Sequence, residues 1–168
     1  QFIYVVAWLE LLVITMFAME RIQFMASFAI TFAFAEVGRF MPICKAVQKI
    51  CDEEFNFHVK IGREILRHEL SLKCGQESFK RIKPKVEKML FELTISELTW
   101  NREYLFADGR ALTGCDVDLV EDFTLFSAGD VYNELGIINP HRQVSHNPIG
   151  YMDEWININA NQASPQEE

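Results

Sequence analysis

Two features that would announce a chemistry at once are absent from this chain. There is no glycine-rich phosphate loop, and no Ser or Cys stands with a His and an acid in a pattern that reads as an activated nucleophile. Nucleotide cradling and acyl transfer are therefore not indicated. The four cysteines, Cys44, Cys51, Cys74 and Cys115, form no CxxC pair and no zinc-ligand spacing, so reduced thiols in a cytoplasmic protein are expected. Positive charge is short: 16 Lys and Arg against 24 Asp and Glu give a net charge of -8, which argues against nucleic acid as the main partner. Lys80, Arg81, Lys83, Lys85 and Lys88 do gather, but Glu77 and Glu87 interrupt them, as on a solvated helix face. Alternating strand patterns and internal repeats are missing too, which leaves an all-α class.

What is present is an apolar run with a carboxylate in it. Between Leu11 and Ala35 the only charged residues are Glu20 and Arg21. At helical spacing Glu20 shares a stripe with Val13, Met16, Phe17, Phe24 and Phe28, so it is expected to face the core. A buried carboxylate is expensive unless it is protonated, paired or bound to a metal. Glu54 and His58, four residues apart on the next helical stretch, share a face and could join it. Two carboxylates and an imidazole on neighbouring helices are half of a dinuclear, carboxylate-bridged metal site. Taken singly each has an ordinary alternative: Glu20 can pair with Arg21 or a distant Lys, and a lone His near an apolar face commonly serves as a hydrogen-bonded core residue.

The apolar N-terminal run raises the membrane. Phe2 to Met19 carries one charge, Glu10, and is long enough to span a bilayer. Glu10 mid-segment, the Glu20 and Arg21 interruption and the lack of a flanking Lys or Arg cluster oppose that, so no membrane is expected. The start Gln-Phe-Ile-Tyr has no basic n-region for a secretory signal. Without an initial Met it reads as a piece of a longer protein that begins inside a helix.

The helices expected from pattern are Phe2 to Phe40, with Gly38 and Pro42 marking the turn, and Ile43 to Leu72, ended by Cys74-Gly75. A third runs from Ser78 to Phe106 despite Pro84, which is tolerable only near a first turn or at a kink. Ala107-Asp108-Gly109 is a turn signal. A fourth helix covers Asp116 to Leu135, stopped by Gly136, and Tyr151 to Ile156 makes a short helical turn. Residues 157–168 form a polar tail after a helical domain of residues 1–156. His68 is expected to be exposed, His141 and His146 to lie on loop surface or make local hydrogen bonds, and Phe32, Phe34 and Trp100 to serve the core.

With these residues in view, the chain resembles the C-terminal half of the small (beta) subunit of class I ribonucleotide reductase. The resemblance rests on Glu20-x-x-x-Phe24-x-x-Ala-Ser27-Phe28, Phe32-Ala-Phe34-Ala-Glu36, the acidic helix ending in His58, and Tyr104-Leu105-Phe106-Ala-Asp108-Gly109. Asn147-Pro148-Ile149 and Ser164-Pro165-Gln166-Glu167 complete it. It implies a ferritin-like bundle, of which only the C-terminal half is present, with a di-iron centre (manganese possible) that reacts with dioxygen to make a tyrosyl radical. Glu20, Glu54 and His58 match metal ligands. Glu53 matches the acid of the radical-transfer path, and Phe24, Phe28 and Ile50 match the pocket around the radical tyrosine. That tyrosine is expected upstream, with the remaining ligands; none of Tyr4, Tyr104, Tyr132 or Tyr151 takes its place. The implied partners are the large catalytic subunit, a second small subunit and the N-terminal half. The competing readings are another ferritin-like di-iron oxidase and a non-catalytic helical interaction or membrane protein. One departure stands out: the family writes Glu-x-x-His, whereas one more residue separates Glu54 from His58. The two spacings differ by about 100° of rotation, so a π-bulge is needed to restore the geometry, unless Glu53 is the ligand.

Overall fold

The computed structural model describes the backbone of residues 2–156 and the side chains within it except those of 2–6, 9, 13, 17 and 52–56. The first helical rod is α1 (Phe2–Ala18), a π-helical turn π1 (Met19–Gln23) and α2 (Met25–Glu36). It stops four residues before the expected Phe40. Gly38 (φ 70°) closes it: Gly38 N–H donates to Ala35 O and Arg39 N–H to Phe34 O, the paired bonds of a Schellman stop. The second rod is α3 (Met41–Glu53), π2 (Glu54–Val59) and α4 (Lys60–Ser71), with Pro42 in its first turn, where the missing N–H costs nothing.

The junction to α5 (Lys73–Trp100) differs from expectation. The break is the single extended residue Leu72, and Cys74 and Gly75 sit inside the first turn of α5 rather than ending the helix before it. Gly75 is there for space: a Cβ would lie 2.0 Å from the Glu69 carbonyl oxygen. Ser78, read as a helix start, is wholly buried. Pro84 falls well inside α5 on its exposed side, where water can serve the carbonyl it leaves unpaired. A third π-helical turn, π3 (Asn101–Leu105), follows directly, and Asp108 (φ 58°) and Gly109 (φ 68°) make the expected turn.

Helix α6 (Val117–Glu134) is capped by Asp116, whose carboxylate accepts from Leu119 N–H at 2.8 Å, and stopped by Gly136 (φ 61°). The chain returns to the bundle through α7 (Tyr151–Ile156). The Asn147 side-chain Oδ1 accepts from Ile149 N–H while its Nδ2 donates to Asp153, holding the entry to α7. Trp155 stacks on Phe32 (centroids 5.0 Å apart) and donates to Glu36, and Tyr151 donates to Ala29 O. The tail of residues 157–168 lies outside the described residues.

Packing joins α1 to α4 and α5, and α6 to α2 and α5, with α7 against α2 and α3. Ile14, Ala18, Ile22, Met25, Ala29 and Phe32 meet Val86, Leu90, Phe123 and Val131 in one core. No strand occurs among the described residues, and none of the four cysteines is in a disulfide. His141 makes the local hydrogen bond expected of it, its backbone N–H donating to Asn139 Oδ1 at 2.9 Å; its half-buried ring also stacks on Phe91 at 5.3 Å with Tyr132 at its edge, and burial lowers its pKa. Lys83–Glu87 and Lys88–Glu92 form i,i+4 pairs on the solvated face of α5.

Candidate metal centre

Glu20 is 7% exposed, as its apolar setting requires, yet the stripe predicted around it does not hold. Met16 and Phe24 are exposed while Glu20, Ile22 and Met25 are buried. The cause is π1: bonding i to i+5 places an extra residue in the turn and rotates everything beyond it relative to a regular helix. Val13 and Phe17 lie outside the described side chains. The Arg21 guanidinium reaches Asp130 on α6 at 3.1 Å.

Across from Glu20 stands π2. His58 Nδ1 lies 3.1 Å from Glu20 Oε1, joining residues 38 apart in sequence. The imidazole is partly exposed, and its carboxylate partner is buried. The one-residue excess between Glu54 and His58 falls inside π2, which begins at Glu54 and includes His58. The side chains of Glu53 and Glu54 lie outside the described residues; their backbones end α3 and open π2. Among the described residues no group of three or more His, Cys, Asp or Glu side chains converges on one point.

The pocket residues are less enclosed. Phe24 and Phe28 rings lie 6.0 Å apart in a tilted pair, with Phe24 exposed and Phe28 partly buried against the core. Ile50 is half-exposed on α3. Trp8, Leu12, Met16 and Met19 on the first rod, and Ile43, Phe57 and Ile61 on the second, also present large apolar side chains to solvent. Trp8 reaches 71% exposure and Phe57 63%.

Residues 6–148 match the family described as "Ribonucleotide reductase, small chain". The chain belongs to that family. The ribonucleotide reductase small chain is a ferritin-like helical fold, and the all-α architecture here agrees with it. Similar proteins include the ribonucleoside-diphosphate reductase subunit beta of Buchnera aphidicola from Schizaphis graminum, 29% identical over 163 residues, which cover 95% of this chain and 42% of that protein. The subunit beta of Haemophilus influenzae is 27% identical over 161 residues, 89% of this chain and 40% of its own length. The chain thus spans about two-fifths of the relatives it matches. As a ribonucleotide reductase small chain it falls in an oxidoreductase family.

Two buried acids escaped the sequence reading. Glu10 on α1 is 1% exposed; burial raises its carboxyl pKa, and the Ser78 hydroxyl opposite it partly offsets that. Glu97 on α5 is also buried, and its pKa is pushed up to about 7 by burial alone. The signal for Glu97 was available. It continues the stripe Ser78, Ile82, Val86, Leu90, Thr94 at three- and four-residue spacing.

Proposed function

We propose that this chain supplies part of the dinuclear metal centre of a radical-generating small subunit of ribonucleoside-diphosphate reductase, with Glu20, Glu54 and His58 as ligands. The observation that carries the reading is the approach of His58 Nδ1 to Glu20 Oε1 at 3.1 Å, with a π-helical turn on each side. An oxygen and nitrogen donor pair of this kind suits iron, with manganese as an alternative. In this family the metal pair supplies the oxidation, by dioxygen, of a tyrosine to its radical, which the large catalytic subunit then uses on ribonucleoside diphosphates.

This chain's own residues hold and shelter. Glu20 offers a carboxylate from an apolar wall, so its charge is available to a cation rather than to water. His58 brings an imidazole nitrogen from the facing rod. Glu53 is the acid of the radical-transfer path, and Phe24, Phe28 and Ile50 form the apolar wall that keeps water and reductants from the radical. A ferritin-like centre takes ligands from four helices, and the two rods here supply ligands on two. The remaining ligands and the radical tyrosine come from the part of the family's length that this chain does not span. The exposed apolar side chains flanking the Glu20–His58 pair are the surface those helices cover. The assembled subunit is a cytoplasmic homodimer that docks on the large subunit.

Mixing this chain with the complementary N-terminal half, then adding ferrous iron and dioxygen, is expected to give a tyrosyl radical signal by electron paramagnetic resonance, and this chain alone to give none. A stable signal from residues 1–168 alone, or bound iron with no signal from the mixture, overturns the reading.

A further inference from the structure

Away from the Glu20–His58 pair, the seam between α5 and α6 holds a second set of buried polar groups with no part in the proposed function. Thr94, Glu97 and Asn101 continue the inward stripe of α5 into π3, and Thr124 and Ser127 are buried on α6. The Asn101 amide donates to Thr124 Oγ1 at 3.0 Å, and the Thr94 and Thr124 hydroxyls donate to the backbone carbonyls of Leu90 and Val120, one turn earlier on their own helices. That leaves acceptors in excess. Glu97 Oε1 and Asn101 Oδ1 are both buried without a hydrogen-bond donor, on side chains 6% and 0% exposed. A carboxylate whose buried oxygen meets no donor is strongly disfavoured when ionised, and a bound proton removes that cost.

We propose that Glu97 is a buried proton-binding site: its neutral carboxyl keeps α6 packed on α5, and loss of the proton loosens that seam. Charges on the neighbouring elements do not offer it a counter-ion. From π1, Arg21 pairs with Asp130 and Glu20 faces His58; from α6, Glu121 pairs with Arg102 of π3, Asp122 with Arg142 and Glu134 with Arg63 of α4. Glu10 of α1 sits by Ser78, near the other end of α5, and Glu69 of α4 acts there too. The Tyr132 phenol of α6 faces Thr94, and Glu103 and Tyr104 of π3 are exposed. Burial is the only cause of the Glu97 shift, from 4.5 to about 7. The folded state therefore holds one more proton than the unfolded state across that window, and stability falls as pH rises through it to a low plateau above 7. Asp130, which holds Arg21 beside Glu20, lies one turn from Ser127 on α6, so the seam and the metal-centre rod share a helix.

The test compares wild type with Glu97→Gln, which keeps size and stays neutral, in the whole subunit or in this chain reconstituted with its complementary half. Infrared difference spectra are expected to show a carboxylic-acid carbonyl band that disappears with a midpoint near 7 in the wild type and is absent from the variant. Melting temperatures at roughly pH 5.5 and 8.5 are expected to drop for the wild type and to differ less for the variant. A midpoint near 4.5, a band that persists in Glu97→Gln, or an equal pH response in both proteins overturns the proposal. Restoration of the wild type at high pH by an added alkali cation also overturns it, because the seam would then take a cation in place of a proton.

Discussion

His58 Nδ1 stands 3.1 Å from Glu20 Oε1, and each residue sits in a helix widened locally to π geometry. A π turn re-aims one side chain without ending the helix, which is why such turns gather at functional sites. Here the widening takes up the extra residue after Glu54 and turns Glu20 inward while its helical neighbours Met16 and Phe24 face out.

Glu20→Ala in the completed subunit is expected to lower bound iron to half or less, since a centre drawing few ligands from each helix cannot replace a carboxylate readily. Metal analysis per chain checks it. Unchanged iron removes Glu20 from the ligand set.

Glu53→Gln and Glu54→Gln are expected to differ. The Glu54 change costs metal, and the Glu53 change leaves metal in place and slows radical transfer to the large subunit. Iron content beside the rate of radical loss during turnover separates them; metal loss confined to Glu53→Gln reassigns the ligand and the register.

Deleting Asn56 shortens the Glu54-to-His58 interval to the family's Glu-x-x-His and removes the extra residue that π2 accommodates. The deleted protein is expected to fold with α4 in its present register and to bind iron at least as well, because a π-bulge is one residue inserted into an otherwise continuous helix. Loss of folding, or a helix α4 rotated about its axis in a structure of the variant, sinks this account.

Gly75→Ala places a methyl group 2.0 Å from the Glu69 carbonyl, so α4 and α5 must move apart. A loss of about 1–3 kcal/mol is expected from denaturant unfolding of the completed subunit, the usual cost of forcing extra volume into a filled space. A change below about 0.5 kcal/mol, the scale of an ordinary surface substitution, shows that the junction has slack.

The sequence by itself determined the helical class, the order of the helices, the start of α6 near Asp116 and its stop at Gly136, because these depend on local periodicity and on residues with special backbone behaviour. It also singled out Glu20 and His58, since a carboxylate in an apolar run is costly wherever the run folds. Other features were not legible. Cys74-Gly75 looked like a stop, and only the close approach of the Glu69 carbonyl explains the glycine inside α5. The face of Glu20 was misread because a 3.6-residue period assumes an unbroken helix, and π1 changes the phase within one turn. Arg21 to Asp130, Asn101 to Thr124 and Glu20 to His58 join residues 109, 23 and 38 apart. Pairings at such range carry no local signature; they exist because the rods and α6 pack side by side, and tertiary packing alone decided which polar groups meet.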